Sequence, residues 1–145
     1  MLAAGTPAPE FDLKAHDGSR VRLSSLRGKK IVLWFFPKAD TPGCTMQGSS
    51  FRDHHGDFTS RGVQILGCSF DTVADNKAFA DKFGFPFPLL CDTTREVGLA
   101  YGACSTTSAK NARRITYVID ENGVIAHALP DVDPTTHIAR VLALV

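Results

Sequence analysis

The chain has 145 residues, 43% hydrophobic and 21% charged, with 16 Lys and Arg against 15 Asp and Glu for a net charge of +1. That length suits one domain, 1–145, burying about two-thirds of its unfolded surface. The near-zero balance, without any basic block, excludes a field that would recruit nucleic acid or an acidic membrane, and no apolar run approaches the ~20 residues of a membrane-spanning helix.

The opening MLAAGTPAPEF has neither the charged n-region nor the long apolar stretch of a signal peptide, so the expected location is the cytoplasm. In chain order, residues 11–13 read as a short strand and Asp17-Gly18 as a turn. Val21 and Leu23, alternating with Arg20 and Arg22, read as a second strand, so the chain begins with a β-hairpin. Ser24 or Ser25 caps one helical turn ending near Gly28. Residues 31–36, IVLWFF, are six apolar residues stopped by Pro37, the pattern of a strand buried on both faces. A helix is expected over about 43–58, with Met46, Phe51 and Phe58 toward the core. Gly48 weakens it by ~1 kcal/mol relative to Ala, and Gly56 frays or ends it.

A strand follows at 63–68. A helix over 73–83 is capped by Asp71 or Thr72 and closed by Gly84, with Phe79 and Phe83 on one face. Residues 87–90 read as a strand, 93–101 as a short helix and 105–112 as a polar loop. Strand 115–119, turn 120–123 and strand 124–129 form a second hairpin. Asp133 as N-cap with Pro134 at N1 starts a last helix, whose apolar stripe is Ile138, Val141, Leu142 and Val145. The alternating middle implies parallel strands and the closing hairpin adds antiparallel ones. The expected class is α/β, a thioredoxin-like fold: a mixed central sheet flanked by helices, with an N-terminal β-hairpin extension.

The four cysteines, Cys44, Cys68, Cys91 and Cys104, contain no CxxC pair, so neither a zinc ribbon nor a dithiol is signalled. His54 and His55 are adjacent rather than four apart, and His16, His127 and His137 are scattered, so no metal site is expected. Cys44 follows PKADTPG. If Thr41-Pro42-Gly43 turns the chain into the helix, Cys44 lies in its first turn, at the carboxyl end of a central strand. Free N–H groups and the helix dipole favour negative charge there, and open sheets place their crevices at that end. Helix starts and nearby cations pull thiol pKa values from ~8.5 into the ~3.5–7.5 range. A single cysteine taken alone is more often a buried, inert residue; the strand–turn–helix context reverses that.

The neighbours each carry two readings. The Thr41 hydroxyl reaches the sulfur across the turn, donating or accepting, or it caps the helix. Pro37 removes a donor and shields the pocket from water, or simply ends the strand. Gln47, one turn on, stands behind the site or belongs to a solvated face. Arg114 opens the strand ITYVID. Because that strand feeds an antiparallel hairpin, its start lies beside the carboxyl end of 31–36, where a guanidinium stabilises a thiolate and polarises a substrate oxygen. Arg113 competes for the same role. Lys38 reads as solvated.

At these residues the chain resembles the peroxiredoxins, specifically the peroxiredoxin Q or bacterioferritin-comigratory-protein group. Their pattern P-x-x-x-T/S-x-x-C with a later Arg stands here as Pro37, Thr41 and Cys44 in FFPKADTPGCT and Arg114 in RRITYVID. The resemblance runs from about Gly5 to the C-terminus. It implies a thioredoxin fold and a thiol-specific peroxidase that reduces hydrogen peroxide and organic hydroperoxides through a Cys44 sulfenic acid. The partners implied are the hydroperoxide and, as reductant, thioredoxin or a low-molecular-weight thiol. No metal or organic cofactor is needed, and a monomer is expected ahead of a dimer. The role of the arginine falls to Arg114, since Arg113 has no counterpart in the group.

The chain departs from that group at the resolving thiol. One branch carries it five residues after the reactive cysteine, where this chain has Ser49; another carries it on the next helix, where Ala80 stands. Cys68 alternates with Leu66 and Phe70 and reads as core. Cys91 lies at a strand's carboxyl end, on the same side as Cys44, and Cys104 borders the polar loop and reads as the most mobile. A disulfide needs Cα atoms within about 7 Å, so either would require rearrangement. The expectation is a one-cysteine mechanism resolved by an external thiol, with Cys91 or Cys104 as the internal alternative. A different class, a non-catalytic thioredoxin-like binding or chaperone module, would leave Cys44 structural; the joint presence of Pro37, Thr41, Cys44 and Arg114 favours the peroxidase.

Overall fold

Alternation along one strand sets the architecture. In the computed structural model, which describes residues 1–130, 132–134 and 136–145, Ile31, Leu33 and Phe35 enter one apolar layer while Val32, Trp34 and Phe36 enter another. The strand that carries most of them spans Lys30–Phe35. It follows a two-stranded antiparallel hairpin, β1 (Asp12–Lys14) and β2 (Arg20–Arg22), and a 3-10 turn at Leu23–Leu26, so it is β3. β4 (Val63–Ser69) lies parallel to β3 on one side, and β5 (Leu89–Cys91) lies parallel to β4 beyond it. β6 (Ile115–Ile119) runs antiparallel on the other side of β3, with β7 (Ile125–Leu129) antiparallel outside it. The order is β5-β4-β3-β6-β7. A strand with neighbours on both edges and apolar layers on both faces can carry six apolar residues in a row, which is why IVLWFF is tolerated.

The helices divide unequally between the faces. α1 (Pro42–Asp53), α2 (His55–Ser60), α3 (Val73–Phe83) and α5 (His137–Ala143) bring Phe51, Phe58, Phe79 and Val141 to the layer of Trp34. The other layer is closed by the N-terminal segment, the 3-10 turn and α4 (Glu96–Ala100), with Phe11, Leu23 and Tyr101 against Phe35 and Tyr117. Each buried aromatic side chain of this kind removes roughly 150–250 Å² from water, so the two layers supply most of the driving force. Among the described residues, no helix is long and apolar enough to cross a membrane.

The expected elements are present, with shifted bounds. The helix anticipated over 43–58 is broken at His54, which leaves helical geometry (φ −105°, ψ 10°) and separates α1 from α2. The Ser50 carbonyl accepts the His54 backbone N–H at 3.2 Å and also lies 3.0 Å from the His54 ring nitrogen Nδ1, so backbone and side chain of His54 both close the end of α1. Thr72 caps α3 by accepting from the Asp75 N–H, and Gly84 closes it in the left-handed region at φ +65°. Asp133 is not the cap of the last helix. Its carbonyl takes the N–H groups of Thr136 and His137, forming a turn ahead of α5, and Thr136 is the N-cap.

Packing reverses one propensity argument. A Cβ on Gly48 would stand 2.5 Å from Cζ of Phe85, whose ring is stacked on Phe87 at 5.3 Å and meets Phe79 edge-on at 4.9 Å. The ring cannot retreat without disturbing both. Gly48→Ala, which helix propensity alone would favour by ~1 kcal/mol, is expected instead to lower the unfolding free energy by about 1–3 kcal/mol, read from urea denaturation.

Candidate active site

The start of α1 is left open. Thr41 is its N-cap in extended geometry, but no side chain caps the helix, and Pro42 at N1 has no N–H. The first backbone bond runs from the Thr45 N–H to the Thr41 carbonyl at 2.9 Å. Among the described residues the N–H groups of Gly43 and Cys44 have no partner, so the helix start presents free donors. Cys44, the third helical residue, is wholly buried in the layer of Trp34, Phe36 and Phe51.

β6 supplies the cation. Its antiparallel register puts Ile115 opposite Phe35, which carries the preceding Arg114 to the carboxyl end of β3. The guanidinium donates from Nη2 to Cys44 Sγ at 3.5 Å and from Nη1 to Gln47 Oε1 at 2.8 Å. Arginine's planar fork makes this two-way contact possible. A Cβ on Gly43 would lie 2.9 Å from Nη2 and 3.6 Å from Pro134, so a bare α-carbon is what lets the guanidinium approach. Gln47 is fully buried, not solvated, and its Nε2 has no hydrogen-bond partner among the described residues.

The loop between β3 and α1 is pinned from α3 and β4. Asp71 accepts from the Ala39 N–H at 2.9 Å and from the Ser69 hydroxyl at 2.7 Å. Asp40, in the left-handed region at φ +61°, pairs with Lys82 at 3.0 Å. Pro37 is half-buried at the head of this loop. The Thr41 hydroxyl does not bond the sulfur: it donates to the Lys38 carbonyl at 2.8 Å, because the turn folds that carbonyl within reach.

Cys68 and Cys104 lie in the opposite apolar layer, across the sheet. Cys104 is 6% exposed, so bordering a polar loop does not make it a surface residue. Cys91, at the end of β5, receives an N–H from buried Asn76 at 3.4 Å, and Asn76 also donates to Ser69 at 3.1 Å. Burial raises the pKa of all three, that of Cys68 furthest. Among the described residues, Cys44 is the thiol to which a guanidinium donates. No group of three His, Cys, Asp or Glu that could hold a metal occurs among the described residues.

Two residues behind the site escaped the sequence reading. His137, 3% exposed at the start of α5, shares a hydrogen bond of 3.0 Å between its Nε2 and Thr116 Oγ1, and its ring meets Phe51 edge-on at 5.7 Å. The available signal was its spacing: His137 is four residues before Val141, on the apolar stripe of the last helix.

The AhpC/TSA family pattern matches residues 4–128. A chloroplastic peroxiredoxin Q of Sedum lineare is 38% identical over 144 residues, covering 99% of this chain and 77% of that one. The crystal structure of the peroxidoxin BcpB of Mycobacterium tuberculosis superposes with a TM-score of 0.91 at 30% identity, over 99% of this chain and 96% of that one. The bacterioferritin comigratory protein of Xanthomonas campestris, whose structures concern alkyl peroxide reduction, gives 0.89 at 28%, over 97% of this chain and 96% of that one.

Burial first, then the charges of Arg140 and Arg114, lower the His137 pKa from 6.5 to about 4. The folded chain therefore holds the ring neutral, while the unfolded chain takes up a proton below pH 6.5. This contribution to stability is complete above that pH and is lost as the pH falls toward 4. Urea titrations across this window should show stability falling with pH, and His137→Gln should flatten the slope.

Proposed function

We propose, for a chain that belongs to the AhpC/TSA family and is a peroxiredoxin, a thiol peroxidase of the Q and bacterioferritin-comigratory-protein group, that Cys44 is the sulfur that attacks the peroxide and that Arg114, Thr41, Pro37 and Gln47 shape its pocket. The observation that carries this is the Arg114 guanidinium donating to Cys44 Sγ and Gln47 Oε1 together. A non-catalytic module would have no use for a buried thiol facing an arginine and an uncapped helix start.

The thiolate is the attacking form. Its sulfur bonds one peroxide oxygen as the O–O bond breaks, and the departing hydroxide or alkoxide takes a proton and leaves as water or alcohol. The sulfur becomes a sulfenic acid, a two-electron oxidation. Negative charge spreads over both oxygens during the transfer, and Arg114 with the free N–H groups of Gly43 and Cys44 are the donors placed to meet it. The Thr41 proton is engaged by the Lys38 carbonyl, so Thr41 offers its oxygen as acceptor to the peroxide O–H. Gln47 Nε2, without a hydrogen-bond partner among the described residues, is a further donor. Leaving such a group unpaired costs about 1–3 kcal/mol, which a substrate oxygen in reach of it would offset.

A thiol or thioredoxin-type reductant returns the enzyme to its thiol form. We take that reductant to act directly on Cys44, without Cys91 or Cys104 as a relay. The support is positional: Cys104 and Cys68 lie across the sheet, Cys91 is held by Asn76, and Ser49 and Ala80 lack sulfur. The same reading places a monomer in the cytoplasm, where thiol reductants are plentiful.

One equivalent of hydrogen peroxide near neutral pH should convert Cys44 to sulfenic acid within seconds, seen by intact mass. Oxidation no faster than that of free cysteine would sink the peroxidase role of Cys44. Arg114→Ala should slow the step by about 10²–10³-fold. Cys91→Ser and Cys104→Ser should leave it unchanged, and no internal disulfide should form.

A further inference from the structure

We infer that the hollow beside Pro37 binds the α-amino-acid head of a low-molecular-weight thiol, which is the reductant of the Cys44 sulfenic acid; this rests on the peroxidase reading. The hollow, about 180 Å³, lies at the carboxyl end of the sheet. One wall is Pro37 and Lys38, the head of the loop that leads to Cys44. Another is Lys110 and Asn111, a few residues before Arg114. The hollow therefore adjoins the two chain segments that deliver the reactive sulfur and its cation.

Its lining carries both signs of charge. Lys38 and Lys110 are exposed and, among the described residues, have no ion-pair partner. Arg95, at φ +66°, lies over the Phe70 ring at 5.1 Å and is fixed by donating to the carbonyls of Ala109, at 3.0 Å, and Thr93. Asp71 and Asp75 line the same space, and Asp75 is in no ion pair among the described residues. A simple carboxylate would meet the aspartates and a simple amine the cations. A zwitterion, with carboxylate and ammonium a few ångströms apart, can satisfy both. The volume falls below the ~300–1,000 Å³ of sites that enclose whole ligands, which fits capture of a head group with the thiol projecting out. A larger hollow, about 350 Å³ on the N-terminal hairpin, makes no such demand: its Arg20 and Arg22 already pair with Asp12 at 3.0 and 3.2 Å.

Cys44 is wholly buried, so the incoming thiol needs the first turn of α1 to open. That turn has no side-chain cap among the described residues, begins at the bond from the Thr45 N–H to the Thr41 carbonyl, and follows the left-handed Asp40. The head would rest on Pro37 and Lys38 at the loop's fixed end while the turn opens. The ligand's thiolate attacks the Cys44 sulfur; the S–O bond breaks, and hydroxide leaves with the ligand's proton as water, giving a mixed disulfide. A second molecule of the thiol attacks the ligand's sulfur, releasing the symmetrical disulfide and the Cys44 thiol. Two thiols are oxidised for each sulfenic acid reduced.

The test uses the full chain, oxidised with one equivalent of hydrogen peroxide and checked by mass for sulfenic acid. It is then mixed in a stopped flow with glutathione, L-cysteine or 2-mercaptoethanol, and Trp34 fluorescence is followed. Glutathione and cysteine should react with rates that saturate, and at matched low thiolate concentration should outrun uncharged 2-mercaptoethanol by about tenfold, the scale of a charge-assisted contact or two. Lys110→Ala and Asp75→Asn should each remove that preference while leaving sulfenic acid formation unchanged. Equal, non-saturating rates for all three thiols, or variants that keep the preference, would overturn the inference. If no sulfenic acid forms in the first step, the peroxidase reading fails and this inference fails with it.

Discussion

Arg114 donates in two directions from one planar group, to the Cys44 sulfur and to the Gln47 side chain, and much of the local structure follows from that contact. The guanidinium needs β6 antiparallel beside β3, since a parallel neighbour would present its first residue at the far end of the sheet. It needs Gly43, where any Cβ would press on it. It needs a neutral partner at 47: the amide oxygen fixes the fork without neutralising it, so the positive charge stays directed at the sulfur. His137, kept neutral close by, adds no competing cation.

The sheet separates two kinds of chemistry. One layer holds the Cys44 sulfur, which faces a guanidinium, within an aromatic cluster, with Trp34 centred 5.2 Å from Phe51 and 4.7 Å from Phe36. The layer with Cys68 and Cys104 holds sulfur as packing material, and burial disfavours thiolate there. Polarity enters mainly where the loop after β3 must be fixed. The chain of bonds from Asn76 through Ser69 and Asp71 to Ala39 is such a place. A partly satisfied network at that position would cost more than an apolar one, so the continuity of these bonds matters more than any single member.

The fold was legible where one physical signal dominated. IVLWFF could be little else than a strand covered on both faces, and Gly84 after an amphipathic run could hardly fail to end a helix. An arginine partner for Cys44 was legible because the closing hairpin fixes strand direction, which brings the start of β6 to that end of the sheet; the resemblance to the peroxiredoxins then chose Arg114 over Arg113. What stayed hidden depended on contacts between distant residues. Gln47 was undecided between core and solvent until the guanidinium took its oxygen. Thr41 was open between the sulfur and a role in the turn until local geometry gave its proton to the Lys38 carbonyl. His137 passed as one scattered histidine because nothing nearby in sequence announces Thr116. Asp133-Pro134 carries a strong helix-start signal, yet the turn it begins precedes the helix.

β6 brings Arg114 to the sulfur from 70 positions later in the chain. During synthesis from the N-terminus, β3 and the start of α1 emerge well before β6 exists, and contacts of such long separation form late. The growing polypeptide thus carries the cysteine without its guanidinium. The contact between guanidinium and sulfur forms only when the closing hairpin docks, so the last-made part of the sheet is what brings the two together.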